Sequence, residues 1–262
     1  MAVGKLPKTR RVYIALHDRI VQGFYDSVGG LPGEQTLAAE FGVSRVTLRR
    51  ALAELESDGL INRLRGSGTF LNTSGLPPPI VVDLADALSQ IVAMGASTDV
   101  RLEDLTYESG ATSVCEALRL PHGSRIQRSL RTRLIDGRPF SYLTTYVPAD
   151  IGQTYTREEL GTRPLLWLLE RAGYEVDHAT QDIGAELAAP EAARALQVDM
   201  GAPLIAMTRT AYDSAGRGIE HLRALYRPDR YTFRMELQRA GPRDTRHWEP
   251  LSPSHHIQEL VR

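Results

Sequence analysis

The sequence predicts an α+β protein with a small helical domain, a stiff linker and a larger antiparallel-sheet domain. Three observations support this. The 262 residues exceed the roughly 100–200 that one domain usually needs. Residues 72–79, NTSGLPPP, lack the periodicity of a core element, and their three prolines favour polyproline II. Helical patterns precede this stretch and strand patterns dominate after it. We therefore expect domains over residues 1–73 and 80–240, a linker over 74–79, and a polar tail over 241–262 that is disordered or packed on a partner subunit.

The composition is that of a globular protein, with 42% hydrophobic and 24% charged residues. No apolar run approaches the roughly 18 residues of a membrane span, and MAVGKLPKTRR lacks the apolar stretch of a secretory signal. We therefore expect a cytoplasmic protein without a membrane partner. A single cysteine, Cys115, excludes an internal disulfide and a cysteine-based zinc cage.

The charge is distributed unevenly along the chain. Residues 1–75 carry ten Lys/Arg against seven Asp/Glu, whereas residues 76–262 carry twenty-one against twenty-five. A basic amino-terminal module on an acidic body is compatible with a protein that binds nucleic acid through its first domain.

Three helices are predicted in the first domain. The first covers residues 9–22, with an apolar stripe at four-residue steps, and the second covers EQTLAAEF at residues 34–41. The third begins after the N-cap Ser44 and stops at Gly59. The predicted inward positions are Val12, Leu16, Ile20, Leu37, Ala38, Phe41, Leu48, Leu52 and Leu55. A short helix, a glycine turn and a longer helix form the helix-turn-helix pattern.

The outer face of the third helix is cationic. Arg45 and Arg49 stand one turn apart, and Thr47 and Arg50 flank them. The first turn after Ser44 offers backbone N–H groups to a phosphate, and arginines there can reach guanine edges in a major groove. The alternative is a solvated helix face that carries arginines for solubility.

Two short strands follow the third helix. Residues 60–65 and 69–71 flank the turn Gly66-Ser67-Gly68, an arrangement typical of a wing. Glycines let the backbone approach a phosphate or enter a minor groove, where Arg65 would meet negative potential. The same hairpin can also cover the helix core, with Ile61 and Phe70 facing inward.

Residues 9–71 resemble the winged-helix DNA-binding domain of the GntR family of bacterial transcription regulators. The matching segments are LPGEQTLAAEFGVSRVTLRRALAELESDGLI and RLRGSGTF. Two positions depart from the family, which usually has serine and arginine where this chain has Gly33 and Gln35. The residues that the resemblance and the helix pattern together assign to double-stranded DNA are Ser44, Arg45, Thr47, Arg49, Arg50, Arg65, Gly66, Ser67 and Gly68.

The second domain contains an internal repeat. Residues 117–123 and 195–201 match at an offset of 78, and the same offset relates Arg131-Thr132 to Arg209-Thr210. Each half reads as a short helix, a glycine loop and a two-stranded hairpin. LLWLLERAG, residues 165–173, reads as another helix. The two units are expected to join into one antiparallel sheet covered by helices.

This arrangement resembles the UTRA domain of the HutC subfamily, which has a chorismate-lyase-like fold and binds a small effector between its halves. The segments RTRLIDGRPF, YVPADI and LYRPDRYTF carry the resemblance, over roughly residues 80–237. Arg131 and Arg133 lie on one strand face and can bind a carboxylate or phosphate bidentately; alternatively, they pair with acidic residues across the sheet. Glu220 and Tyr226 match positions that contact effector hydroxyls in relatives, although either could be a packed strand residue.

Two departures from sugar-phosphate-binding relatives point to the type of effector. Leu143 stands where those relatives carry glutamate, and a small hydroxyl residue is replaced around Pro164 and Leu165. A pocket that keeps its arginines but gains aliphatic surface favours an acid with an apolar or aromatic body over a phosphosugar.

No catalytic, metal or cofactor site is predicted. The only close histidine pair, His255-His256, lacks metal-ligand spacing, and the sequence holds neither a phosphate-binding G-x-x-x-x-G-K nor a G-x-S-x-G nucleophile turn. The expected function is a ligand-responsive, sequence-specific transcription regulator, a repressor by resemblance, that binds a pseudo-palindromic operator as a homodimer. The alternatives are an enzyme acting on a small carboxylate and a non-specific architectural DNA-binding protein.

Overall fold

The computed structural model describes residues 6–64, 67–72, 80–83, 98–242 and 245–250. The chain divides into two compact units, Met1–Pro78 and Pro79–Arg262.

The N-terminal unit packs three helices against a small antiparallel sheet. The helices are α1 (Lys8–Val21), α2 (Glu34–Glu40) and α3 (Arg45–Ser57). The strands are β1 (Gly30–Leu31), β2 (Ile61–Leu64) and β3 (Gly68–Leu71), in the order β1-β3-β2. Among the predicted inward positions, Leu16, Leu37, Leu48, Leu52 and Leu55 are fully buried. The predicted three-helix pattern is therefore confirmed.

One inward assignment in this unit is wrong. Ile61 is fully buried as expected, but Phe70 is 40% exposed. Side chains alternate along a strand, and in β3 it is Leu71 that packs against the helices. Phe70 therefore lies on the outer face.

The C-terminal unit is built on a six-stranded antiparallel sheet in the order β5-β6-β7-β10-β9-β8. Its strands are β5 (Asp99–Ser109), β6 (Arg125–Ile135), β7 (Arg138–Pro148), β8 (His178–Leu187), β9 (Pro203–Tyr212) and β10 (Gly218–Tyr226). The helices are α4 (Thr112–Ala117), α5 (Ala149–Gly152), α6 (Arg157–Leu160), α7 (Leu165–Arg171) and α8 (Pro190–Leu196).

The sheet has an approximate two-fold arrangement. The first half runs β5-α4-β6-β7, the second runs β8-α8-β9-β10, and the halves meet where β7 pairs with β10. This confirms the internal repeat and enlarges it, because each unit also has a leading strand that the sequence did not predict.

Helices cover both faces of the sheet. On one face, leucines of α6 and α7 pack against Val147 of β7 and Ala211 of β9. On the other face, Leu196 of α8 packs near Tyr142 and Leu225. The predicted α+β class and the predicted helix at residues 165–173 are confirmed. No helix in the described ranges is long and apolar enough to cross a membrane.

Two further strand pairs complete this unit. β4 (Ile80–Asp83) pairs in parallel with β11 (Tyr231–Arg234), and β12 (Leu237–Ala240) pairs with β13 (His247–Pro250). The expected disorder after residue 240 is therefore wrong for β13, whose backbone is paired with β12. Residues 251–262, with His255 and His256, lie outside the described part of the chain.

Gly218 marks a close approach between β10 and α4. A Cβ placed on Gly218 would lie 2.5 Å from Leu118 Cα and 2.7 Å from its carbonyl oxygen. We expect Gly218→Ala to lower the free energy of unfolding by about 1–3 kcal/mol, because backbone must shift to admit the methyl group. Urea denaturation measures this loss. Gly184→Ala on β8 is the matched control, since its Cβ would meet nothing within 4 Å; an equal loss in both variants would contradict the steric explanation.

Candidate functional site

The start of α3 has the local structure that the sequence predicts. Ser44 is the N-cap, and its Oγ accepts a hydrogen bond from the backbone N–H of Thr47 at 3.2 Å. The two hydroxyl oxygens lie 2.9 Å apart. This cap fixes the first turn and leaves Arg45 at the exposed start of the helix.

One carboxylate organises the arginines beside α3. Glu34, at the start of α2, accepts hydrogen bonds from Arg49 Nε at 2.7 Å and Arg63 Nη2 at 3.0 Å. Arg45 Nη2 lies 4.0 Å from the same carboxylate. Partial burial raises the pKa of Glu34, but the bonds from Arg49 and Arg63 outweigh it and hold the pKa below its usual value.

The side chains of Arg45 and Arg49 are 62% and 56% exposed. Arg49 is held in one position by Glu34 and is still accessible. A helix face that carried arginines only for solubility would not need this contact. Sequence analysis missed Glu34 and Arg63, because their contact with Arg49 is tertiary. The available signal was an acidic residue placed directly after Gly33 in the LPGEQT segment.

The structure describes some of the other predicted DNA contacts. Arg50, Ser67 and Gly68 are exposed, and Gly68 has φ +112°, a conformation that glycine adopts readily. Arg65 and Gly66 lie outside the described residues.

The five predicted effector-binding residues all line one cavity in the C-terminal unit. The described residues that line it are Arg131, Arg133, Leu143, Pro164, Leu165, Leu166, Arg209, Glu220, Leu222 and Tyr226. The cavity volume is about 40 Å³, room for about three or four water molecules at roughly 10–15 Å³ each. The sheet supplies the basic floor, and the segment leading into α7 supplies an aliphatic cover.

Burial makes the charges of this cavity costly. Arg131, Arg209 and Glu220 are each 2% exposed. Arg209 Nη2 donates to Glu220 Oε2 at 2.9 Å. Within the described ranges, Arg131 and Arg133 form no such ion pair and donate instead to Thr145 at 3.1 Å and Thr98 at 2.8 Å. Arg209, rather than Arg131 or Arg133, pairs with an acidic residue across the sheet.

Several donors in the cavity have no hydrogen-bond partner among the residues that the structure describes. Nε and Nη1 of Arg131 and the same two atoms of Arg209 are buried and unpaired. Burial lowers the pKa of Arg131, and it lowers the pKa of Arg133 to about 10 with a smaller contribution from the charge of Arg131. Both shifts have the sign expected for cations removed from water without a counter-charge.

Arg209 is the site residue that sequence analysis missed. It lies 78 positions after Arg131, and the repeat that relates them was visible in the sequence. The ladder registers are also equivalent, since Arg131 faces Leu143 across β6 and β7, and Arg209 faces Leu222 across β9 and β10.

Comparisons with known proteins agree with both units. Residues 8–71 match the model of bacterial regulatory proteins of the gntR family, and residues 93–232 match the UTRA domain. The chain is 28% identical to the HTH-type transcriptional repressor NagR of Bacillus subtilis, covering 78% of this chain and 83% of that protein. It is 29% identical to the histidine utilization repressor of Pseudomonas putida, covering 81% and 85%.

The fold agrees with a solved structure as well. The crystal structure of PhnF from Mycobacterium smegmatis is 27% identical and superimposes with a TM-score of 0.51, covering 85% of this chain and 97% of that one. A DNA-binding head and an effector-binding domain are thus matched together in single proteins. The chain belongs to the GntR family of bacterial regulatory proteins, among the HutC-type members that pair this head with a UTRA domain and act as ligand-responsive DNA-binding regulators.

Proposed function

We propose that this protein is a repressor that binds a pseudo-palindromic operator as a homodimer and is controlled by a small anionic effector held in the sheet cavity. The observation that carries the proposal is the charge of that cavity. Among the described residues that line it, three guanidinium groups stand against one carboxylate, which gives this lining a net charge of two positive units.

An anion would relieve an unfavourable arrangement. A buried charge without a partner costs several kcal/mol, and charge-assisted hydrogen bonds to a carboxylate or phosphate would satisfy the unpaired N–H groups of Arg131 and Arg209. Leu143, Leu222 and Leu165 give the rest of the lining an aliphatic surface. These features support an acid with an apolar or aromatic body.

Binding would also require the cover to move. The cavity holds only a few water molecules, so a metabolite needs space now occupied by Pro164, Leu165 and Leu166. Pro164 is the N-cap of α7, and Leu165 and Leu166 are its first residues. Because Leu168 and Leu169 of the same helix are fully buried, the helix would shift as a packed body. A coupling of about 1–3 kcal/mol between effector and operator corresponds to a 5- to 150-fold change in affinity.

The head supplies the DNA contacts. Arg45 and Arg49 at the exposed face of α3 would read base edges, and Ser44 with the first turn would meet a phosphate. Two heads in a symmetric dimer call for a two-fold related site. A regulator of bacterial DNA would act in the cytoplasm, and we propose that location for this protein, with no catalytic role, cofactor or metal.

Capture of genomic fragments by the full chain, followed by sequencing and gel shift, tests the DNA-binding part of the proposal. We expect an enriched operator that loses binding when its sequence is scrambled. Equal binding to scrambled duplex would favour a non-specific architectural protein. Calorimetry with a panel of aliphatic and aromatic acids and glucosamine 6-phosphate tests the effector, and turnover of a bound acid would favour the enzyme alternative.

Glu34 gives a further prediction for the head. Glu34→Gln removes the charge that neutralises Arg49 and Arg63, so we expect tighter binding to non-specific duplex and a steeper fall of affinity with salt. The slope of log K against log salt should change by about one, the equivalent of one added phosphate contact. Glu40→Gln is the matched control. It removes the same charge from α2, but at a residue that pairs with Arg19. An unchanged slope in Glu34→Gln would contradict the prediction.

A further inference from the structure

The floor of the cavity has a two-fold pattern of charge. Arg131 on β6 lies opposite Leu143 on β7, and Arg209 on β9 lies opposite Leu222 on β10. Because β7 and β10 are adjacent at the centre of the sheet, the two leucines lie between the two arginines. The cavity floor therefore runs from basic through apolar to basic, with one half contributed by each repeat.

Both arginines reach toward the centre of this floor. Arg131 donates to Thr145 on β7, and Arg209 donates to Glu220 on β10, so each side chain extends to the next strand inward. The backbones of β6 and β9 are three strand spacings apart, roughly 14 Å at about 4.8 Å per spacing. Both guanidinium groups thus lie over the two central strands, closer together than the backbones that carry them.

Each arginine keeps the same two donors without a partner. Nε and Nη1 are buried and unpaired on Arg131 in the first repeat and on Arg209 in the second. Nε and Nη1 lie on different edges of the guanidinium plane, so each can donate a separate charge-assisted hydrogen bond to a carboxylate oxygen. The cavity therefore presents two positions for an acidic group.

We propose that the effector is an α,ω-dicarboxylate with an apolar chain, bound by Arg131 and Arg133 at one end and by Arg209 at the other, with its chain over Leu143 and Leu222. This rests on the proposed function, which requires only that the cavity binds an anion. Two carboxylates balance the net charge of the lining, in which Glu220 neutralises one of three guanidinium groups. A sugar would place hydroxyl groups against Leu143 and Leu165, which offer them no hydrogen bond.

Calorimetric titration of the full chain tests this inference. The probes are α,ω-dicarboxylates from succinate to azelate, each compared with the linear monocarboxylate of equal length. We expect one dicarboxylate to bind at least tenfold more tightly than its monocarboxylate. Arg209→Met should abolish that difference. Arg223→Met is the matched control, since Arg223 lies on β10 and pairs with exposed Glu186 rather than lining the cavity.

A second pair of variants keeps the test independent of folding. Arg209→Met leaves Glu220 buried without its partner, so the double variant Arg209→Met/Glu220→Gln removes both charges and should show the same loss of discrimination. Glu220→Gln alone should tighten dicarboxylate binding, because it removes the group that competes for Arg209.

The outcomes separate this inference from the proposed function. Equal binding of mono- and dicarboxylates, or a difference insensitive to both Arg209 variants, would overturn the dicarboxylate assignment while leaving an anionic effector. Binding of glucosamine 6-phosphate in place of every dicarboxylate would do the same. If no anion binds, both the inference and the proposed effector class fail.

Discussion

Arg131→Met should abolish the effector response and at the same time stabilise the protein without its effector. Arg131 is 2% exposed and donates only to Thr145, with two further N–H donors unpaired. Truncating one partner of a buried, hydrogen-bonded charge pair costs about 2–5 kcal/mol in binding, which is roughly 30- to 5,000-fold in affinity. We expect this loss for the tightest-binding acid of the panel, measured by calorimetry.

The gain in stability arises from the cost of burying the Arg131 charge in the absence of effector. In the free protein the Arg131 charge is buried without an ion pair of its own; the attraction of Glu220 offsets only part of the cost of burial, and the charge of Arg209 adds a smaller repulsion. Methionine keeps much of the side-chain volume and removes the buried charge, and hydrophobic replacement of buried ion pairs stabilises other proteins by about 1–4 kcal/mol. Urea denaturation should therefore show a higher free energy of unfolding for the variant.

Arg128→Met provides the control on the same strand. Arg128 lies three residues from Arg131, pairs with Asp104 at 3.3 Å and is not part of the cavity lining. We expect little change in either property. If Arg131→Met loses stability and binds acids normally, Arg131 is a structural residue and the effector site lies elsewhere.

The sequence could predict part of this cavity but not its full composition. The R-x-R spacing placed Arg131 and Arg133 on one strand face, and the repeat aligned Arg131 with Arg209. The repeat did not reveal that Arg209 enters the same cavity, because the order of the strands in the sheet decides it. Only the pairing of β7 with β10 brings the two halves of the floor together.

The missed strands have local physical causes. In β5 a register shift between Leu102 and Asp104 interrupts the alternation of apolar side chains, so the period of two disappears from the sequence. β8 is an edge strand whose residues are largely exposed, and its pattern carries little hydrophobic signal. By contrast, α1 and α3 each bury one regular stripe, and the sequence predicted them well.

The DNA-binding head gives the second large effect. We expect Arg45→Ala to lower operator affinity by about 1–3 kcal/mol, or roughly 5- to 150-fold, and to relax the base preference at one position of each half-site. Arg45 stands in the first turn of α3 with 62% of its side chain exposed and 4.0 Å from Glu34. It is therefore free to contact a base edge. Gel-shift titration against the operator, single-base variants of it and a scrambled duplex measures both effects.

Two comparisons decide whether Arg45 reads bases. Arg11→Ala removes the same charge from the exposed face of α1, so any loss it produces estimates the general electrostatic contribution. The loss of operator affinity caused by Arg49→Ala should depend on Glu34, because the 2.7 Å hydrogen bond between the two side chains fixes the position of Arg49. A double-mutant cycle of Arg49 and Glu34 should therefore give a coupling energy of about 0.5–3 kcal/mol. The 4.0 Å separation of Arg45 from Glu34 predicts a much smaller coupling. Equal losses for Arg45→Ala on operator and scrambled duplex would show that Arg45 contacts only phosphate, and base reading would then have to come from Arg49.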